Sequence, residues 1–161
     1  MAVKKPLVLG TSGHPEVLQA ADTILANTSL TDTETLTNGG GSPAVIGSVV
    51  YVSASDTFQL AQANAVAPSK AYGVVFDASI AAAASGAVAT DGIVTATTAQ
   101  WDAVAGTTGG LAAGVDYFLS AATAGRLTST APSAAGQYNT YIGKAKNATD
   151  LSVNIRESIA L

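Results

Sequence analysis

Residues 47–53 read Gly47-Ser-Val-Val-Tyr-Val-Ser53, and 67 residues further on the chain reads Gly114-Val-Asp-Tyr-Phe-Leu-Ser120. In both, a glycine opens a run of β-branched and aromatic residues that ends on serine, the composition of a β-strand leaving a turn. Outward from the first copy, Phe58 and Leu60 alternate with polar neighbours, and Tyr72-Gly-Val-Val-Phe76 is a further apolar strand. Leu60 aligns with Leu127, and Tyr72-Gly-Val74 resembles Tyr141-Ile-Gly143 with a small shift. Each half therefore reads as a glycine turn, an aromatic strand, a second strand, a proline-containing loop and a strand with glycine. Duplication gives such a pattern, and so do two hairpins obeying the same rules. Residues 86–90 and 93–97 read as two strands about an Asp91-Gly92 hairpin turn. One helix is predicted over about 98–105, capped by Thr97 or Thr98 and ended by Gly106, with Trp101 and Val104 on one face. The expected fold is all-β: an antiparallel sandwich or small barrel with one short helix.

Residues 1–43 lack a sustained pattern. Leu7, Val8, Leu9, Val17, Leu18 and Ile24 form short apolar clusters between polar and Gly/Pro punctuation, and Asn38-Gly-Gly-Gly-Ser-Pro43 reads as a flexible break. The sequence predicts an extended N-terminal arm over 1–43, docking through those six residues onto a neighbour. A β-rich body follows over 44–161, as one sheet system or as two related modules, 44–97 and 107–161.

Only 11% of the residues are charged and the net charge is −4, against about 25% charged in an ordinary domain. A surface of Thr, Ser, Asn and Gln is cheaper to desolvate against a partner than one of unpaired charges. With no cysteine there is neither a disulfide framework nor a thiolate metal site, which fits synthesis in a reducing cytoplasm. Lys4 and Lys5 precede an apolar stretch too short for a secretory leader, and no run approaches a membrane span. The seven cations do not cluster beyond pairs and the pI is about 4.6, so nucleic acid is not an expected partner.

His14 is the only histidine, and it sits on the irregular arm. A hydrolase would need it in a site formed between subunits. The scattered aspartates lie near turns, where Asp caps local backbone, and lack EF-hand spacing. The glycine-rich stretches are not followed by Lys-Ser/Thr and do not open a helix. No catalytic residue, metal ligand or cofactor is assigned, and the expectation is a protein that is not an enzyme.

The stretches Gly47-Ser-Val-Val-Tyr-Val-Ser53, Ala71-Tyr-Gly-Val-Val75 and Gly86-Ala-Val-Ala-Thr-Asp-Gly-Ile-Val94 resemble the capsid cement, or head-decoration, proteins of tailed bacteriophages. Tyr117-Phe-Leu-Ser120, Gly125-Arg-Leu-Thr128 and Ile142-Gly-Lys-Ala145 resemble a module of phage head-fibre and tail-fibre proteins. The opening Lys5-Pro-Leu-Val-Leu9 and Gln19-Ala-Ala-Asp-Thr-Ile24 are similar to leader segments of phage structural proteins. The resemblance implies a homo-oligomer, a trimer, on the capsid surface of the virion. Its partners would be itself and the major capsid protein, with no direct nucleic acid and no membrane. The alternative it leaves open is a fibre or baseplate component in host attachment, which would expose Tyr51, Tyr117 or Trp101.

Overall fold

The computed structural model describes residues 31–161 and, before them, the backbone of two short strands. These are β1 (Leu7–Leu9) and β2 (Pro15–Val17), which pair antiparallel. The body runs β3 (Asp32–Asn38), β4 (Ala44–Val45), β5 (Val49–Ala54), β6 (Thr57–Leu60), β7 (Gly73–Val75), β8 (Ser79–Ile80) and β9 (Ser85–Thr95). Helix α1 (Thr98–Ala105) follows. The chain ends with β10 (Asp116–Leu119), β11 (Leu127–Thr128), β12 (Tyr138–Asn139), β13 (Tyr141–Ala145), β14 (Asp150–Asn154) and β15 (Ile159–Ala160). The expected all-β body with one short helix over 98–105 is what forms.

Five strands close on themselves in the order β9-β3-β6-β5-β7 and back to β9. Every pairing in this ring is antiparallel except β3 with β6. Each strand sends one buried side chain into a single cluster: Leu36, Phe58, Val50, Val75 and Val88, joined by Ala44 and Ile80 from the β4–β8 pair. The neighbouring residues Val49, Val74 and Ala89 point the other way, because side chains alternate along a strand. They are equally buried, in a second cluster with Trp101, Val104, Tyr117, Leu119, Ile142, Leu151 and Val153. This explains the doublets Val49-Val50, Val74-Val75 and Val88-Ala89. A strand covered on both faces needs apolar residues at consecutive positions rather than at alternate ones.

The outer cover is the second half of the chain. Strand β14 pairs with β9 over Asp91–Thr95, and β13, β10 and β11 follow in order. The order β11-β10-β13-β14-β9 repeats β6-β5-β7-β9-β3, so the similarity of the two halves in sequence has a counterpart in strand topology. Gly47 and Gly114 both have positive φ, 83° and 78°, at the turns before the two aromatic strands. Val50 faces Gly73 in the first half, and Tyr117 faces Gly143 in the second. A Cβ on Gly143 would collide with the Ser152 carbonyl of the adjoining strand. Gly143→Ala is therefore expected to cost about 1–3 kcal/mol by overpacking. Gly41→Ala, which meets open space, should leave the denaturation midpoint unchanged.

Three expectations are corrected. Asp91-Gly92 is not a hairpin turn: β9 runs straight through it for 11 residues. The strand changes partners there, β3 and β7 before it and β14 after it. Gly92 (φ 97°) and a register shift against β3 absorb the bend. The arm does not extend to residue 43, because β3 lies within the barrel and Leu36 is in its core. Its polar alternation hid one buried anchor. Residues 38–43 are not a loose break either. Asn38 is buried, donates to the carbonyls of Ser42 and Ile80 (both 3.0 Å), and accepts from the Gly40 N–H (2.9 Å).

Helix α1 is capped as the sequence predicts. Thr97 accepts from the Gln100 N–H, the Gln100 side chain accepts from the Thr97 N–H, and Gly106 ends the helix in the left-handed region. Its Asp102 gathers the following loop, accepting from the Gly110 N–H (2.8 Å), the Thr107 hydroxyl (2.9 Å) and the Gly109 N–H (3.0 Å). These bonds, Gly110's first, hold the Asp102 carboxyl below its usual range. Asp150 is likewise lowered, by the Thr95 hydroxyl and then the Asn147 amide. A depressed carboxyl contributes stability that is present above its unfolded pKa of about 4 and lost as pH falls through the folded value. Thermal stability is thus expected to fall on acidification below about pH 4. Asp102→Asn should flatten that acid limb in a pH series of melting curves.

Candidate interaction surface

The C-terminal segment, residues 155–161, lies between two grooves. One, of about 630 Å³, is lined by Val66, Ser69, Lys70 and Ala71 on one side and by Tyr138, Ile155 and Ser158 among others on the other. The second, of about 420 Å³, is lined by Asp116, Phe118, Tyr141, Lys144 and Ile159 among others. Arg156 and Glu157 border both.

The first groove is built by a buried hydroxyl relay. Thr140, almost wholly buried, donates to the Ser69 carbonyl (3.0 Å) and meets the Ser158 hydroxyl (3.0 Å). Ser69, also buried, donates to the Val66 carbonyl (3.0 Å) and so closes the tight 65–69 turn. The loop between β6 and β7 is thereby fastened to the chain's C-terminal segment. The β12–β15 pair extends that wall, with Tyr138 opposite Ala160 and Asn139 opposite Ile159.

The second groove lies on the outer face of β10 and β13. Phe118 meets Tyr141 edge-on, with ring centroids 5.8 Å apart, and the Arg156 guanidinium stacks over Tyr141 at 4.9 Å. Burial, then the nearby Asp116 carboxylate, raises the Tyr141 phenol's pKa, so it stays a neutral hydrogen-bonding group. Lys144 pairs with Asp116 at 3.2 Å, the one ion pair among the described residues.

What this surface offers is contact. Val66 and Ile159 are 59% and 64% exposed, the highest values among the large hydrophobic residues described. Among the described residues no group of three or more His, Asp or Glu is arranged to hold a metal ion, and no buried side-chain polar atom lacks a partner. The aromatic residues divide. Trp101 and Tyr117 are in the core, while Tyr51, Phe118 and Tyr141 are half-buried and Tyr72 is exposed.

Of the six docking residues expected from the sequence, Leu7, Val8, Leu9 and Val17 lie in β1 and β2, where only the backbone is described. Leu18, Ile24 and His14 lie outside the described residues. The groove residues were not singled out as a site from the sequence. Val66 and Ile159 fall outside every strand read from the sequence. No protein-family model matches the chain, and no curated protein sequence matches it.

Proposed function

We propose that this chain is a structural protein of a tailed-bacteriophage particle, without catalytic activity. In this reading it binds the outer surface of the capsid as a homo-oligomer, a trimer, next to the major capsid protein, and stabilises the shell. The observation that carries the reading concerns the three stretches resembling cement proteins, 47–53, 71–75 and 86–94. They supply β5, β7 and β9, which are neighbours in the closed barrel, with Val50 opposite Gly73 and Val74 opposite Ala89. The resemblance thus corresponds to one contiguous unit of the fold. The exposed apolar side chains at the grooves and the single described ion pair support a surface made for packing.

The mechanism is mass action. A protein that binds the assembled shell and not its dissociated parts shifts the equilibrium toward the shell, by about 2.7 kcal/mol per site at a free concentration 100 times Kd. The fibre alternative drew on an exposed aromatic face, and the burial of Trp101 and Tyr117 removes two of its three residues. The test is co-sedimentation with undecorated shells. The full chain is expected to pellet with them, and a chain lacking residues 1–25 to stay folded but remain in the supernatant. Full retention of the truncated chain would remove the arm from the mechanism, and failure of both to bind would remove the capsid.

A further inference from the structure

The grooves beside the C-terminal segment concentrate what little positive charge the body has. Its cations are Lys70, Arg126, Lys144, Lys146 and Arg156, and three of these five line the grooves, together with Val66, Ile159 and two acids, Glu157 and the Asp116 that pairs with Lys144, which leaves Lys70 and Arg156 as the cations open to a partner. Residues 7–24 have the complementary character. They carry Glu16 and Asp22, no Lys or Arg, and the six apolar anchors.

The place where the body begins brings the two together. The Thr31 hydroxyl donates to the Ile93 carbonyl (2.8 Å), and Asp32 faces Asp91, which faces Asn154 across β9. Two strand spacings, about 10 Å, therefore separate the start of β3 from the end of β14. The first groove's C-terminal wall starts at the very next residue, Ile155. Residues 25–30, fully extended, reach up to about 20 Å, enough to turn back onto that wall.

We propose that residues 7–24 dock into the grooves of their own molecule, with apolar anchors against Val66 and Ile159 and with Glu16 and Asp22 toward Lys70 and Arg156. The β1–β2 pair needs such a support, because an isolated two-stranded ribbon is at best marginally stable. A tether this short gives an effective concentration in the millimolar range, so at micromolar protein the molecule's own segment outcompetes that of a second copy. This goes beyond the capsid reading and holds whatever the larger assembly is.

The test uses the full chain, which has no cysteine of its own. Val17→Cys with Val66→Cys is treated with a short bismaleimide, and the control is Val17→Cys with Ser55→Cys in the exposed β5–β6 turn. The groove pair is expected to cross-link within the monomer at a rate independent of protein concentration, about tenfold or more faster than the control. Adding Arg156→Glu and Ile159→Asp should return it to the control rate with little change in melting temperature. Equal rates for the two pairs would overturn the proposal. So would a product that is only a concentration-dependent dimer, since the groove would then take a second copy's segment.

Discussion

Trp101→Ala is expected to lower the unfolding free energy by about 3–5 kcal/mol, the cost of removing a large buried aromatic side chain and leaving a cavity. Trp101 is fully buried, and its indole N–H donates to the Thr149 carbonyl at 2.8 Å. It stands in the cluster where the outer faces of β5, β7 and β9 meet β10, β13 and β14, so it joins the first half of the body to the second. Its ring lies so close over Gly47 that a Cβ there would sit 2.7 Å from it. The turn that opens β5 is therefore shaped to receive it. For a chain of this size the loss corresponds to a melting temperature lower by about 10 °C. Trp101→Phe should retain most of the packing and lose about 1–3 kcal/mol through the unpaired carbonyl. An alanine variant within about 1 kcal/mol of the parent would mean that the halves are held together elsewhere.

Phe58→Ala is expected to cost a similar amount, about 3–5 kcal/mol, from the other core. Phe58 is fully buried inside the five-stranded ring, against Leu36, Val50, Val75 and Val88. Emptying that position loosens every wall at once, and β3 most of all, because Leu36 is its only apolar anchor. Amide exchange in Asp32–Asn38 should accelerate along with exchange in Thr57–Leu60. If only Thr57–Leu60 responded, β3 would not belong to the barrel. Phe58→Leu, which refills most of the volume, is expected to recover most of the stability.

The contrast between β3 and β5 explains what could be read from the sequence. Val49-Val-Tyr-Val52 announces a strand because its residues are β-branched or aromatic and both faces of β5 are covered at Val49 and Val50, and helix α1 is legible because Thr97, Gln100 and Gly106 are local capping chemistry. Asp-Thr-Glu-Thr-Leu-Thr-Asn does not announce β3. Most of its side chains face water, and its paired residues lie 20 away in the chain on β6 and 48 to 59 away on β9. Asp91-Gly92 misled for a related reason. The dipeptide encodes a local bend, and only the arrival of β14 on one side and β3 on the other decides that the strand continues. The groove was harder still to foresee. Ser69, Thr140 and Ser158 are ordinary polar residues in sequence, and their relay exists only once β12 has brought the C-terminal segment to the 65–69 turn. The six arm residues were named as anchors from their apolar clustering alone, and their side chains lie outside the described residues.

The proposal that this chain decorates a phage capsid stands or falls on antibody-gold electron microscopy of the particles released by cells that carry its gene. Gold distributed over the surface of the head is the expected result. Gold confined to the tail, or its absence from every particle, would contradict it.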